Sequence, residues 1–298
     1  MRRQVFRDPA LQENFRCTGY NQLPLISAEM IQKIKHEMAT MRPTDGFNPV
    51  GEATGDVMNR VTYHCSFIDQ NKEYKRQVLN MVKGVFQPYV DQFLADFRIL
   101  NANFYIKQAH RGHFPIHQNW PVLRDMSDTT VTIWCPLQNT TAINGTLHIV
   151  PGSHKITPHV EAVTLPPYFA NIKDELVDSW LEPLDVPAGD AVIFDDGLIH
   201  WTSHNDSDEV RIAIQILCIP RDTTPIFYFH DPENDPERIE IVEADEEFYL
   251  NYHITDLLVR QPEWKSLGFE PNNNKLVSSR EFHRMIANGE RARLGLFA

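Results

Sequence analysis

Two histidines and one arginine carry the first chemical signal in this chain. His117 lies in FPIHQNWPV, just after the strand-like segment NANFYIKQA, and His200 follows the apolar run AVIF within GDAVIFDDGLIH. Both sit at strand ends with apolar flanks, and two imidazoles held on rigid strands can bind a first-row divalent metal. With 13 histidines in the chain, a pair of ordinary core or surface histidines is the competing account. Arg211 follows His200 by 11 positions (211 − 200), inside VRIAIQILCI. A guanidinium within an apolar strand requires an anionic partner, because an unpaired buried charge is costly. Its fork geometry suits a carboxylate bidentately, and Thr202, two positions after His200, can add a hydroxyl donor to the same carboxylate. Taken alone, Arg211 is better accounted for by a salt bridge to an internal Asp or Glu.

The elements that must position these residues come in three blocks. Residues 1–99 read as a helical flank. Ser27 can cap a helix carrying Ile31, Ile34, Met38 and Met41 at helical spacing, and NKEYKRQVLNMVKGVF places Val78, Met81, Val82 and Val85 on one side; Pro88 breaks or kinks it, and YVDQFLADF can continue the helical region. Residues 100–230 change to short segments rich in β-branched and aromatic residues: NANFYIKQA, TTVTIWCPL, GTLHIV, AVIF, VRIAIQILCI and PIFYFH. Turn chemistry at Asn144-Gly145, Pro151-Gly152 and Ala188-Gly189-Asp190 separates several of them. Residues 231–298 read as a helical cover, with ADEEFYLNYHITDLLVR helical and a last helix opened by a Ser278/Glu281 capping box. The pattern predicts one domain, mainly β with helices packed outside.

Composition narrows the function. Asp and Glu outnumber Lys and Arg 40 to 28, for a net charge of -12, which argues against a nucleic-acid partner. Cys17, Cys65, Cys135 and Cys218 are far apart and form neither a zinc motif nor a disulfide framework. No stretch approaches the ~20 apolar residues of a membrane span, and the first residues have no apolar core of a signal peptide. A soluble, reduced, cytoplasmic protein is the expectation.

Beyond these residues, the chain resembles the phytanoyl-CoA dioxygenase family of Fe(II)/2-oxoglutarate oxygenases. The resemblance rests on His117-Gln118-x-Trp120, IWCPL (133–137), NGTL (144–147), VPGSH (150–154), AGDAVIFDDGLIH and the array of His200, Thr202, Asn205, Ser207 and Arg211. It implies a double-stranded β-helix core of the jelly-roll or cupin-like kind. It implies too that His117 and His200 bind iron, that Arg211 with Thr202 holds the distal carboxylate of 2-oxoglutarate, and that Trp134 lines the cosubstrate pocket, although an ordinary core aromatic is as good an account of Trp134. O2 and a small organic molecule would be the remaining reactants.

One position departs from the family pattern. Where the first motif normally reads His-x-Asp, this chain has Asn119. The usual site is two histidines and one carboxylate, and an amide oxygen is a poorer donor to a hard cation. Three accounts follow. Asn119 coordinates through its amide oxygen and activity is kept; or the position is left open for water or an anion; or the chain is a non-catalytic ligand-binding homologue or inactivated variant. The other elements of the pattern favour a retained metal site. Asp125, Asp128, Asp195 and Asp196 are poor substitutes for the lost carboxylate, and His113, His148, His154 and His204 read as surface or supporting residues.

Overall fold

Strand alternation decides the architecture. The computed structural model describes residues 3–48, 62–125, 128–156 and 160–288. The order is α1 (Pro9–Thr18), β1 (Tyr20–Pro24), α2 (Ala28–Thr40), β2 (His64–Cys65), α3 (Lys72–Phe93), β3 (Phe97–Lys107), β4 (Phe114–His117), β5 (Val131–Pro136), β6 (Leu147–Ile149), α4 (Lys173–Ser179), β7 (Glu182–Pro183), β8 (Asp190–Asp195), β9 (His200–Thr202), β10 (Arg211–Pro220), β11 (Ile226–Asp231), β12 (Asp235–Glu243), α5 (Glu246–Asn251), β13 (Ser266–Pro271) and α6 (Ser279–Asn288). A six-stranded sheet runs β1-β8-β5-β10-β3-β2, and a four-stranded sheet runs β4-β9-β6-β7. All named pairs are antiparallel.

Successive side chains on a strand point to opposite faces, so each strand of the large sheet serves two cores. On β10, Ile214, Ile216 and Cys218 face outward and pack with Ile31 and Ile34 of α2 and Val78, Val82 and Phe86 of α3. The alternate residue Ala213 faces inward, where it joins Trp134, Val192 and Phe194 against Leu147 and Ile149 of the small sheet. The two sheets thus enclose a lumen, as the double-stranded β-helix expectation requires. Arg211 and Gln215 share the parity of Ala213, and both line the lumen.

The helices form where capping and apolar spacing agree. Ser27 accepts a hydrogen bond from the Met30 backbone N–H at 3.2 Å and starts α2. Asn71 does the same for α3 through Tyr74. Pro88 does not end α3, which continues to Phe93. Ser278 and Glu281 form the expected capping box, with Ser278 N–H donating to Glu281 Oε2 at 2.9 Å and Glu281 N–H donating to Ser278 Oγ at 3.3 Å.

The blocks at either end are less purely helical than their sequences suggest. The first contributes β1, which pairs with β8 from Tyr20↔Phe194 to Pro24↔Asp190 and closes one edge of the large sheet. The last contributes β12 and β13, which with β11 make a separate three-stranded sheet. Only Glu246–Asn251 of ADEEFYLNYHITDLLVR is α-helical. The physical reason is pairing across distance: Ile239, Ile241 and Val242 of β12 are buried on strand partners that local polarity does not reveal.

Candidate metal and cosubstrate site

His117 and His200 face each other across the β4–β9 ladder, where they are paired in register. Their ring centroids are 4.1 Å apart. Each ring is oriented in the same way by its own chain: His117 Nδ1 donates to Pro115 O and His200 Nδ1 to Leu198 O, both at 2.8 Å. A carbonyl can only accept, so the proton sits on Nδ1 and the Nε2 lone pair is available. Neither Nε2 has a protein hydrogen-bond partner among the described residues. Burial and the neighbouring His200 hold His117 well below the usual imidazole range, and burial pushes His200 down to about 4. Two neutral imidazoles with free Nε2 atoms are a donor set for a divalent metal.

Arg211 opens β10 and is 1% exposed. Its Nη1 donates to Tyr105 O at 3.3 Å, its Nε has no partner, and its guanidinium carbon lies 5.9 Å from the centroid of the Trp134 ring. Among the described residues no carboxylate pairs with it, and burial alone draws its pKa down to about 9, still cationic at neutral pH. The internal salt bridge that would have explained this residue is therefore missing. Thr202 and Trp134 line the same cavity as Arg211, His117 and His200, so five of the six residues singled out by sequence come together.

A second buried basic residue lies beside the first. Lys107 sits opposite Arg211 in the β3–β10 register and is 1% exposed. Its Nζ donates to Thr202 O at 2.9 Å and Ser203 O at 2.5 Å, which pins the end of β9 against the large sheet. Burial, and then Arg211, push its pKa well below the usual amine range. Gly145 makes room for this arrangement: its φ is +78°, and a Cβ there would lie 2.8 Å from Ser203 O. Sequence reasoning passed over Lys107, although the signal was the one that singled out Arg211, a cation at the end of an apolar strand.

Asn119 is the sixth residue, and its side chain is committed to the protein. Its Nδ2 donates to Thr132 Oγ1 and to Asp196 Oδ1, both at 2.8 Å, while its backbone N–H donates to Asp196 O at 3.1 Å. Asn119 lines the larger cavity next to His117, and Oδ1 is the amide atom that these bonds do not engage. Asp196 also accepts from Thr132 Oγ1 at 2.6 Å, yet burial outweighs these bonds and raises its pKa to about 6. Among the described residues no Asp, Glu or Cys completes a cluster with the two histidines in which all ligand atoms lie within 4.8 Å of one another. The one such cluster, Asp45, His64 and Asp69, lies elsewhere. There His64 is already held by Asp45 at 2.8 Å and by Tyr74 Oη at 2.8 Å. His154, read from the sequence as a surface or supporting residue, is fully buried and its Nε2 faces Arg16 O at 3.3 Å.

Comparison with known proteins agrees with this geometry. The family model described as phytanoyl-CoA dioxygenase (PhyH) matches residues 19–213, which contain all six residues. No curated protein matches the sequence. Among solved structures, the non-heme alpha ketoglutarate dependent carbocyclase SnoK from nogalamycin biosynthesis is 18% identical, with a TM-score of 0.50 over 73% of this chain and 86% of that one. The alpha ketoglutarate dependent epimerase SnoN of the same biosynthesis is 17% identical, with a TM-score of 0.50 over 74% of this chain and 86% of that one. These likenesses establish the fold. The family match covers well over half of the sequence, and the chain belongs to the phytanoyl-CoA dioxygenase family of Fe(II)- and 2-oxoglutarate-dependent oxygenases.

Proposed function

We propose that His117 and His200 hold Fe(II) through their Nε2 atoms, and that Arg211 binds the distal carboxylate of 2-oxoglutarate with help from the Thr202 hydroxyl. The observation that carries this reading is a buried guanidinium that meets no carboxylate among the described residues, in the same cavity as two imidazoles whose Nε2 atoms have no partner among them. Bound iron and 2-oxoglutarate supply the oxidising power, using O2 and converting the cosubstrate to succinate and CO2 as a small organic substrate is oxidised. The protein's own contribution is orientation and electrostatics. The Pro115 and Leu198 carbonyls fix the tautomers, Trp134 covers the guanidinium, and Lys107 anchors the strand that carries His200 and Thr202.

Asn119 takes the third protein position through Oδ1. Three hydrogen bonds to Thr132 and Asp196 build the residue into the surrounding network, which favours a working amide site over a decayed one. The two imidazoles and an amide leave the metal its full positive charge, so more of the neutralisation falls to 2-oxoglutarate itself. The four cysteines are free, which supports a cytoplasmic setting, and no helix among the described residues is long and apolar enough to cross a membrane. Anaerobic titration with Fe(II) and 2-oxoglutarate tests the reading. A visible charge-transfer band that needs both components is expected, with succinate release on adding O2 and substrate. A band that forms equally in His200→Ala would overturn the assignment, and a band without succinate release under any substrate would favour a ligand-binding homologue.

A further inference from the structure

Beside the histidine pair lies a second, larger cavity of about 260 Å³, whose wall includes His117, Asn119 and Gln118. One side is aromatic. Tyr63 lies 5.1 Å from Phe114 and 6.0 Å from Tyr105, centroid to centroid, and Phe114 lies 4.5 Å from His117. Trp120 and Phe67, 6.0 Å apart, extend the aromatic surface. Among the described lining residues there is one acid, Glu161, and no lysine or arginine.

Glu161 is only 7% exposed. The Gln118 backbone N–H bonds to its carboxyl, while Oε2 is buried without a hydrogen-bond partner among the described residues. A buried carboxyl with an unpaired oxygen is costly, and burial raises its pKa to about 8, with Lys173 offsetting this only at a distance. An ammonium group would supply both the missing donor and the missing charge. The faces of Tyr, Phe and Trp rings attract the same kind of group. The two cavities also differ in their polar groups: the one holding Arg211 is cationic and suits a dicarboxylate, whereas the described lining of the other has a carboxyl and no lysine or arginine, and an ammonium bound there would favour the ionised form of Glu161. His117 belongs to both walls.

We infer that the larger cavity takes an organic amine, its ammonium group held by Glu161 and its carbon skeleton laid against the aromatic wall beside His117. This rests on reading His117 and His200 as the metal pair, and it names the substrate class of that same site. The test compares two probes of equal shape, 2-phenylethylamine and 2-phenylethanol, titrated into the full chain by calorimetry. The amine is expected to bind at least tenfold more tightly than the alcohol, and Glu161→Gln, which keeps the shape and removes the charge, should bring the two within about threefold. Affinity for 2-oxoglutarate, titrated in parallel, should be the same in both proteins. Equal binding of amine and alcohol by the unaltered protein overturns the inference without recourse to a variant. So does an amine preference that survives in a folded Glu161→Gln protein. An amine preference lost in Glu161→Gln, in a protein that fails to bind 2-oxoglutarate at all, supports the anchor while removing the cosubstrate reading.

Discussion

Exchanging the residues at 119 and 196 separates a decayed metal position from one rebuilt around an amide. In Asn119→Asp, the Nδ2 donor that lies 2.8 Å from Asp196 Oδ1 is replaced by a carboxylate oxygen. A charge-assisted hydrogen bond of about 1.5–3 kcal/mol is lost. At an effective dielectric constant of about 20, two unit charges at that separation would repel by roughly 6 kcal/mol, enough to make the pair take up a proton instead. The metal-free variant is therefore expected to lose about 2–4 kcal/mol at pH 7 in urea unfolding. The sign with pH follows: Asp196 already titrates near 6 rather than its ordinary 3.8, and the new neighbour raises the folded pair further. The variant's stability is thus fully present below the unfolded carboxylate pKa and falls as pH rises through the folded values, so the deficit should shrink on acidification. Asp196→Asn in the same chain restores a donor–acceptor pair with the roles reversed, and should recover about 2 kcal/mol relative to additivity. That double variant carries a carboxylate at 119 and should bind iron more tightly than the parent, because a hard cation prefers carboxylate to amide oxygen. Unchanged stability of Asn119→Asp at pH 7, or no rescue by Asp196→Asn, would refute the hydrogen-bonded arrangement on which the argument stands.

Arg211→Leu should weaken 2-oxoglutarate binding by roughly 1.5–3 kcal/mol in calorimetry, while the empty protein keeps or gains stability because an unpaired buried charge is removed; unchanged affinity would show that the guanidinium does not meet the cosubstrate. Lys75, held by desolvation at a pKa of about 8 with its Nζ donating to Tyr252 O at 3.1 Å, penalises the fold while it is charged. A depressed amine adds stability that is fully present above its unfolded pKa near 10.5 and is lost as pH falls through about 8. Lys75→Met should accordingly raise stability at pH 7 by about 1–2 kcal/mol, with the advantage vanishing in thermal melts above pH 10. Gly145→Ala should cost at least about 1 kcal/mol, since its positive φ and the close Ser203 carbonyl both oppose a Cβ; a neutral change in melting temperature would mean the turn relaxes freely.

Much of the site was legible because strand parity is a strong code. VRIAIQILCI alternates so regularly that Arg211 had to share a face with Ala213 and Gln215, and the two histidines needed only neighbouring strands to meet. What escaped was non-local. The polar YNQLP becomes an edge strand through its pairing with β8, and DPERIEIVE becomes the middle of a sheet through partners on both sides. Glu161, in an irregular segment, has no periodicity to mark it; its significance comes from a cavity assembled by β3, β4, β5 and the segments around Phe67 and Tyr249. The role of Asn119 was half visible: the motif located it, while its commitment to Asp196 depends on a residue 77 positions away.

The buried Arg211 bears on how long the protein survives in a cell. A guanidinium 1% exposed, with no carboxylate paired to it among the described residues, opposes the fold at its centre, and an anion bound beside it would relieve that opposition. Bound there as proposed, 2-oxoglutarate would act as a structural ligand as well as a reactant: at a concentration a hundredfold above its dissociation constant, it would add about 2.7 kcal/mol to the unfolding free energy. Proteases and chaperones sample the unfolded fraction, so molecules formed when the metabolite is scarce would be cleared sooner. Abundance would follow the supply of a central carbon and nitrogen intermediate with no dedicated sensor, through degradation alone.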